Sequence, residues 1–233
     1  AVSYSGTGNR VMTSPDGIDW SSQTSAADND WRSVTYGKGF FVAVSSYGTN
    51  HVMTSPDGIN WTGRTAATDN AWTSVTYGNS IFVAVSSDAG AFNSVMTSPN
   101  GIEWTSWRAA SDNYWNSVTY GKGIFVAVSY TGRGNRVMTS PDGIVWTSRT
   151  AAAENYWYSV TYGNNIFVAV SSSGTRQPPT TPGKGNRVMT SPDGIEWTSR
   201  VSAADNNWRS VTYGDGILVS HLATASLLLW AAL

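Results

Sequence analysis

Ten residues, Val-Met-Thr-Ser-Pro-Asp-Gly-Ile-x-Trp, recur five times in this chain, at 11–20, 52–61, 95–104, 137–146 and 188–197. The third copy carries Asn100 in place of the Asp, and its first eight positions are otherwise unchanged. A second phrase, Trp-x-Ser-Val-Thr-Tyr-Gly, alternates with the first and begins at Trp31, Trp72, Trp115, Trp157 and Trp208. Two phrases alternating five times define a repeat protein, in which each unit must bury its apolar face against its neighbours.

Each phrase reads as β structure. Ser14-Pro15-Asp16-Gly17 has the residues of a turn: Pro presets φ at the second position, and Gly accepts a left-handed conformation. A short strand from Val11 leads into it, and a return strand is expected over 18–24, with Ile18 and Trp20 on one face by alternation. Trp31 to Tyr36 is the next strand, and Gly37-Lys38-Gly39 a tight turn. Residues 40–45 form a fourth strand that lacks a polar face and is therefore expected to be covered on both sides. We label the four types A (Trp31), B (Phe41), C (Val52) and D (Trp61). The Met12-type positions are spaced 41, 43, 42 and 51 residues apart. The long interval comes from a Pro/Thr/Gly-rich insert at 174–185 between strands B and C, where a solvent-facing loop tolerates length. A shorter variation at 88–93 occupies the same loop of an earlier unit.

Four short antiparallel strands repeating every 40–45 residues predict an all-β fold, a β-propeller of four-stranded blades. Five blades are expected. Residues 1–10 match 127–136 at all but two positions, so the sequence begins inside a repeat. Residues 217–219 align with the first half of a B strand and 1–3 with its second half. Joining Val219 to Ala1 gives a closing interval of 42, a normal repeat. The expectation is a closed five-bladed ring over 1–219, spliced within one blade, followed by a non-repeat apolar tail over 220–233. Leu227, Leu228, Leu229 and Trp230 of that tail are expected to bury themselves on the protein's own surface or a neighbour's, since such a patch is not left in water.

Composition narrows the function. The 14 Lys and Arg nearly balance the 15 Asp and Glu, and charged residues make up only 12%. No basic stripe is present, so a nucleic-acid partner is not expected. There is no Cys, which removes disulfides and thiolate metal sites and leaves the compartment open. No leader-like stretch opens the sequence, as in a chain that begins after processing or trimming. The apolar run at 222–233 is too short to span a membrane, which takes about 20 residues. His51 and His221 have no partner at metal-ligand spacing, and the Asp/Asn-rich connectors lack a dense carboxylate cluster, so no metal or other cofactor is expected.

The turn phrase Ser14-Pro15-Asp16-Gly17-Ile18-Asp19-Trp20 resembles the Asp-box of sialidases and other Asp-box propellers, Ser-x-Asp-x-Gly-x-x-Trp, with one residue fewer between Asp and Gly in all five copies. The resemblance implies a hairpin between strands C and D whose Ser and Asp lock the turn and whose Trp packs beneath it. It implies nothing catalytic. Arg64, Arg149 and Arg200 sit at matching positions of different blades and should form a ring. Near-identical repeats also offer like environments, where a carboxylate pair needs unlike ones. No enzyme is expected. In plan, the array is similar to five-bladed propeller lectins of the tachylectin-2 type.

The loops opposite those turns are the candidate site. The D-to-A connectors share Asp28-Asn29-x-Trp31, Asp69-Asn70-x-Trp72, Asp112-Asn113-x-Trp115, Glu154-Asn155-x-Trp157 and Asp205-Asn206-x-Trp208. A carboxylate and an amide can take paired sugar hydroxyls while an aromatic face stacks on a pyranose. These residues therefore make the chain a candidate multivalent glycan-binding protein with up to five similar sites, a role suited to a secreted or cell-surface place. Two alternatives stand beside it: the tryptophans wedge between blades while Asp-Asn merely turns the chain, or the rim loops dock a protein partner. The oligomeric state is left open.

Overall fold

The structure is a computed structural model that describes residues 1–88, 93–172, 186–204 and 206–222. The insert at 174–185, Asp205 and the apolar residues Leu227–Trp230 of the tail lie outside the described residues. Twenty strands make up the described chain, with no helix. An N-terminal pair, β1 (Val11–Thr13) and β2 (Ser21–Gln23), precedes four complete sheets. The first is β3 (Trp31–Gly37), β4 (Phe40–Ser45), β5 (His51–Ser55) and β6 (Thr62–Thr65). The second is β7 (Trp72–Gly78), β8 (Ile81–Ser86), β9 (Val95–Ser98) and β10 (Thr105–Trp107). Then come β11 (Trp115–Gly121), β12 (Ile124–Ser129), β13 (Val137–Ser140) and β14 (Thr147–Arg149). The fourth is β15 (Trp157–Gly163), β16 (Ile166–Ser171), β17 (Val188–Ser191) and β18 (Thr198–Arg200). A final pair, β19 (Trp208–Gly214) and β20 (Ile217–Leu222), ends the description. Each complete sheet is an antiparallel meander in the order A-B-C-D.

Local chemistry accounts for this meander. Every A–B hairpin turns on two residues of positive φ, such as Lys38 and Gly39 or Asn164 and Asn165. That is the two-residue turn whose twist matches the flanking strands. The C–D turn is held from within. In the first copy the Ser14 hydroxyl donates to Asp16 Oδ1 at 3.0 Å and accepts from the Gly17 amide at 2.7 Å. Asp16 Oδ1 accepts the amides of Ile18 and Asp19, and Trp20 Nε1 donates to the Gly17 carbonyl. The other four copies repeat this set, the third with Asn100 Oδ1 in the carboxylate's place. The return strand is shorter than expected. Ile18 and Trp20 belong to the turn, and β2 starts at Ser21, because the side-chain bonds hold the amides of residues 18 and 19 away from the ladder.

The core lies between successive sheets. Val42, Val44 and Val52 of one sheet pack on Trp72, Val75, Phe82, Ala84 and Met96 of the next, and the same set recurs between the later sheets. Burying each of the Val, Phe and Met side chains contributes about 1.5–3 kcal/mol, so a sheet is stable only in its stack. The A strands are also bonded to one another. The amides of Val75, Val118, Val160 and Val211 donate to Ser33, Ser74, Ser117 and Ser159 Oγ at 3.1–3.2 Å.

The ends depart from expectation. β20 runs on past Val219, and Val211, Ser210 and Trp208 pair with Ser220, His221 and Leu222. Residues 220–222 thus fill the half-strand expected of Ala1–Ser3. Ala1–Ser3 meanwhile lies along the N-terminal pair, where Val2 bridges Val11 and the Met12 amide donates to the Ala1 carbonyl. The half-strand exists twice, so β1–β2 and β19–β20 stay separate two-stranded sheets. Positions sealed in complete sheets are open in these halves: Met12 is 44% exposed and Leu218 39%, whereas Met138 and Phe125 are fully buried.

Candidate functional site

The connector residues are brought together, but as internal ties. Trp72, Trp115 and Trp157 are fully buried and Trp31 nearly so. Each indole donates to the carbonyl four residues before it, as Trp72 does to Thr68 at 3.1 Å. Trp208, at the open end of the array, is half-buried and packs on Val168 and Val170 of the preceding sheet with the same kind of bond, to Ala204. A buried indole face cannot stack on a sugar, and the burial of Trp31, Trp72, Trp115 and Trp157 favours the alternative in which they wedge between sheets.

The polar pair beside each Trp is a staple. The carboxylate reaches back to the B–C loop of the preceding sheet. Asp28 Oδ1 accepts the Gly8 amide at 2.7 Å and lies 3.7 Å from Arg10 Nε. Asp69 Oδ1 is 2.6 Å from His51 Nε2. Glu154 accepts the Gly134 amide at 2.6 Å and pairs with Arg136 Nε at 3.1 Å. Burial lowers the Arg136 guanidinium's proton affinity, and Glu154 opposes that effect.

The amide reaches forward, to the B–C loop of its own sheet. Asn29 bonds both the amide and the carbonyl of Thr49. Asn70, Asn113 and Asn155 donate to the carbonyls of Asn93, Asn135 and Asn186 at 2.6–2.9 Å. Asn29, Asn113 and Asn155 are buried. These Asp, Glu and Asn side chains, expected to take sugar hydroxyls, thus brace adjacent loops. Asp112 and Asn206 sit at the matching positions. A signal for the staple was present, because Arg10/Asp28, His51/Asp69 and Arg136/Glu154 are each eighteen residues apart.

Sequence reasoning missed a different site. The one variable position of Trp-x-Ser-Val-Thr-Tyr-Gly holds Arg32, Thr73, Asn116, Tyr158 and Arg209. In all five A strands the register shifts at this residue, between the Trp and the Ser. Such a bulge bends the strand and re-aims a side chain. All five residues line one cavity of about 520 Å³ at the axis of the array, joined by Ser46, Ser87 and Tyr130 from the B-strand ends.

The lining is polar and partly pre-bonded. Thr73 Oγ1 donates to the Trp115 carbonyl at 2.8 Å, and Asn116 Nδ2 to that of Tyr158 at 2.6 Å. Tyr130 lies parallel to Tyr158 at 5.7 Å and stacks on Tyr114 at 5.2 Å. Burial, with the neighbouring Tyr114 and Tyr158, pushes the Tyr130 phenol above its ordinary value. Arg209 covers the Tyr158 ring at 3.8 Å. Among the described residues no group of three or more His, Cys, Asp or Glu is placed to hold a metal ion.

No protein-family model matches the chain, and no curated protein matches it either. Solved structures do. A crystal structure of the computationally designed Ika8 protein matches 86% of the chain at 13% identity and a TM-score of 0.58. The chain spans 58% of that protein's length. The computationally designed Ika4 protein matches over 63% of this chain and 88% of its own, at 15% identity and a TM-score of 0.46. The repeated four-stranded sheets and the likeness to Ika8 define a propeller-like repeat fold, all-β and stacked around an axis.

Proposed function

We propose that the chain is a non-catalytic carbohydrate-binding propeller, with its ligand at the axial cavity and not at five connector sites. The observation that carries this reading is that the only variable residue of a seven-residue phrase points into one polar cavity from all five A strands. A volume of about 520 Å³ falls in the range of small-ligand sites and admits one or two sugar rings. Phenol, amide, hydroxyl and guanidinium groups line it, a donor-rich set suited to sugar hydroxyls. The Tyr158 face is already covered by Arg209, so hydrogen bonds carry the recognition. Among the described residues no carboxylate lines the cavity, and glycoside hydrolysis needs an acid–base pair of carboxyl groups.

Five blades is the count this reading adopts, because Arg32 of the first A strand and Arg209 of the last share the cavity. A protein-docking role for the rim has its own support in Tyr4 and Tyr47, B–C loop residues that are 61% and 75% exposed. Titration calorimetry against a glycan panel tests the main reading. One site per chain of about millimolar affinity is expected, since a few exposed hydrogen bonds leave roughly 4 kcal/mol after ordering costs. Five equivalent sites, or no saccharide binding at all, would overturn it.

A further inference from the structure

The five variable side chains are not used alike. Thr73 and Asn116 each spend a donor on the backbone of the next A strand. Arg209 has no following A strand among the described residues. Its guanidinium carbon stands over the Tyr158 ring, 3.8 Å from the centroid, and the group makes no hydrogen bond or ion pair among them. Arg32 donates from Nε to Ser46 Oγ at 2.7 Å, stands over the Tyr4 ring at 5.1 Å, and has one distant carboxylate, Asp30, 3.9 Å from Nη2. Two guanidiniums thus face one concave mouth with most of their N–H groups unspent, and every other lining residue among the described ones is uncharged.

A concave surface of one sign concentrates the opposite charge. The planar guanidinium fork matches the paired oxygens of a carboxylate or sulfate, with bonds stronger than those to a neutral hydroxyl. Stacking on Tyr158 holds Arg209 in place, so less freedom is lost when it binds. Asp30 already attends Arg32, which makes Arg209 the stronger anchor.

We infer that the axial cavity is an oxyanion site that selects a saccharide carrying a carboxylate or sulfate group, held by Arg209 with Arg32 beside it. The inference rests on the reading of this cavity as a saccharide site, and the two can fail separately. The test is calorimetry at low salt with glucose, glucuronate, glucose 6-sulfate and inorganic sulfate, on the unaltered chain, Arg209→Gln and the control Arg200→Gln. Arg200 lies on β18, outside the cavity. Thermal melts confirm that the variants are folded.

Glucuronate or glucose 6-sulfate should bind about tenfold or more tightly than glucose. Arg209→Gln should abolish that preference while glucose binding stays, Arg200→Gln should change nothing, and added salt should weaken the preference. The two acidic sugars distinguish carboxylate from sulfate as the favoured group. Equal affinity for glucose and both acidic sugars overturns the oxyanion assignment and leaves the saccharide reading intact. A preference unaltered in Arg209→Gln overturns the assignment to this cavity. Inorganic sulfate binding through Arg209 without any saccharide binding keeps the anion chemistry and overturns the saccharide reading.

Discussion

The ring of Tyr77 lies against the backbone of Gly37, so close that a Cβ on Gly37 would fall 2.2 Å from Tyr77 Cγ. Gly78, Gly121 and Gly163 meet Tyr120, Tyr162 and Tyr213 in the same way, at 2.1 Å. Gly214, the last of the series, has nothing within 4 Å, and Tyr36, the first tyrosine, is 58% exposed. The contact therefore recurs at four successive junctions between A strands and leaves Tyr36 and Gly214, among the described residues, as the two sides of a seam where it is not made.

Gly78→Ala should destabilise the chain by about 1–3 kcal/mol, the ordinary cost of overpacking, because the aromatic ring must leave its place. Gly214→Ala should be nearly neutral. Chemical denaturation of both variants checks this, and a large loss at Gly214 would mean that the seam closes on Tyr36.

Trp72→Ala should lower stability by about 3–5 kcal/mol, as large aromatic truncations in cores do, since the indole is fully buried between two sheets. Saccharide stoichiometry should stay at its original value in whatever fraction remains folded. Loss of one-fifth of the sites with an unchanged melting temperature would restore the connector tryptophans as ligand platforms.

The staple can be measured by a double-mutant cycle. Arg136 is buried and Glu154 is 40% exposed, so solvent screening trims their interaction and a coupling of about 1 kcal/mol is expected for Arg136→Met with Glu154→Gln. A coupling near zero would show that the geometry of the connector, and not the ion pair, holds the loops.

The turns make stability depend on pH in the acid range. The Asn60 amide and side chain, then the Ile59 amide and the Ser55 hydroxyl, hold the Asp57 carboxyl well below the ordinary carboxylate range. Backbone amides do the same at Asp16, Asp142 and Asp193, with the Ile18, Val145 and Ile195 amides leading. A depressed folded value contributes stability that is present above the unfolded value, near pH 3.9, and is lost as pH falls through the folded one. Stability should thus hold down to about pH 4 and decline below it. Replacing Asp16, Asp57, Asp142 and Asp193 by Asn should flatten that decline, because Asn100 already makes the same bonds without titrating. Melting temperatures between pH 2 and 7 decide it, and an equally steep decline in the Asn variant would contradict it.

The two phrases by themselves determined the all-β repeat, the four strands of each unit and the chemistry of both turns. These are local matters, set within ten residues by Pro, Gly, Ser, Asp and alternation. The sequence also held the staple, in the eighteen-residue interval that separates Arg10 from Asp28, His51 from Asp69 and Arg136 from Glu154. Three things were decided only by tertiary structure. Burial of Trp31, Trp72, Trp115 and Trp157 depends on the valines of the preceding sheet, and a Trp beside Asp-Asn reads the same whether it is covered or bare. The aim of Arg32, Thr73, Asn116, Tyr158 and Arg209 depends on a bulge, which turns a side chain without leaving a mark in the residue pattern. The separation of the two end pairs depends on which of two like segments occupies the second half of the last B strand. Alignment favoured Ala1–Ser3, but Ser220–Leu222 continues the strand begun at Ile217 and pairs with β19 without any chain end having to be brought across the seam.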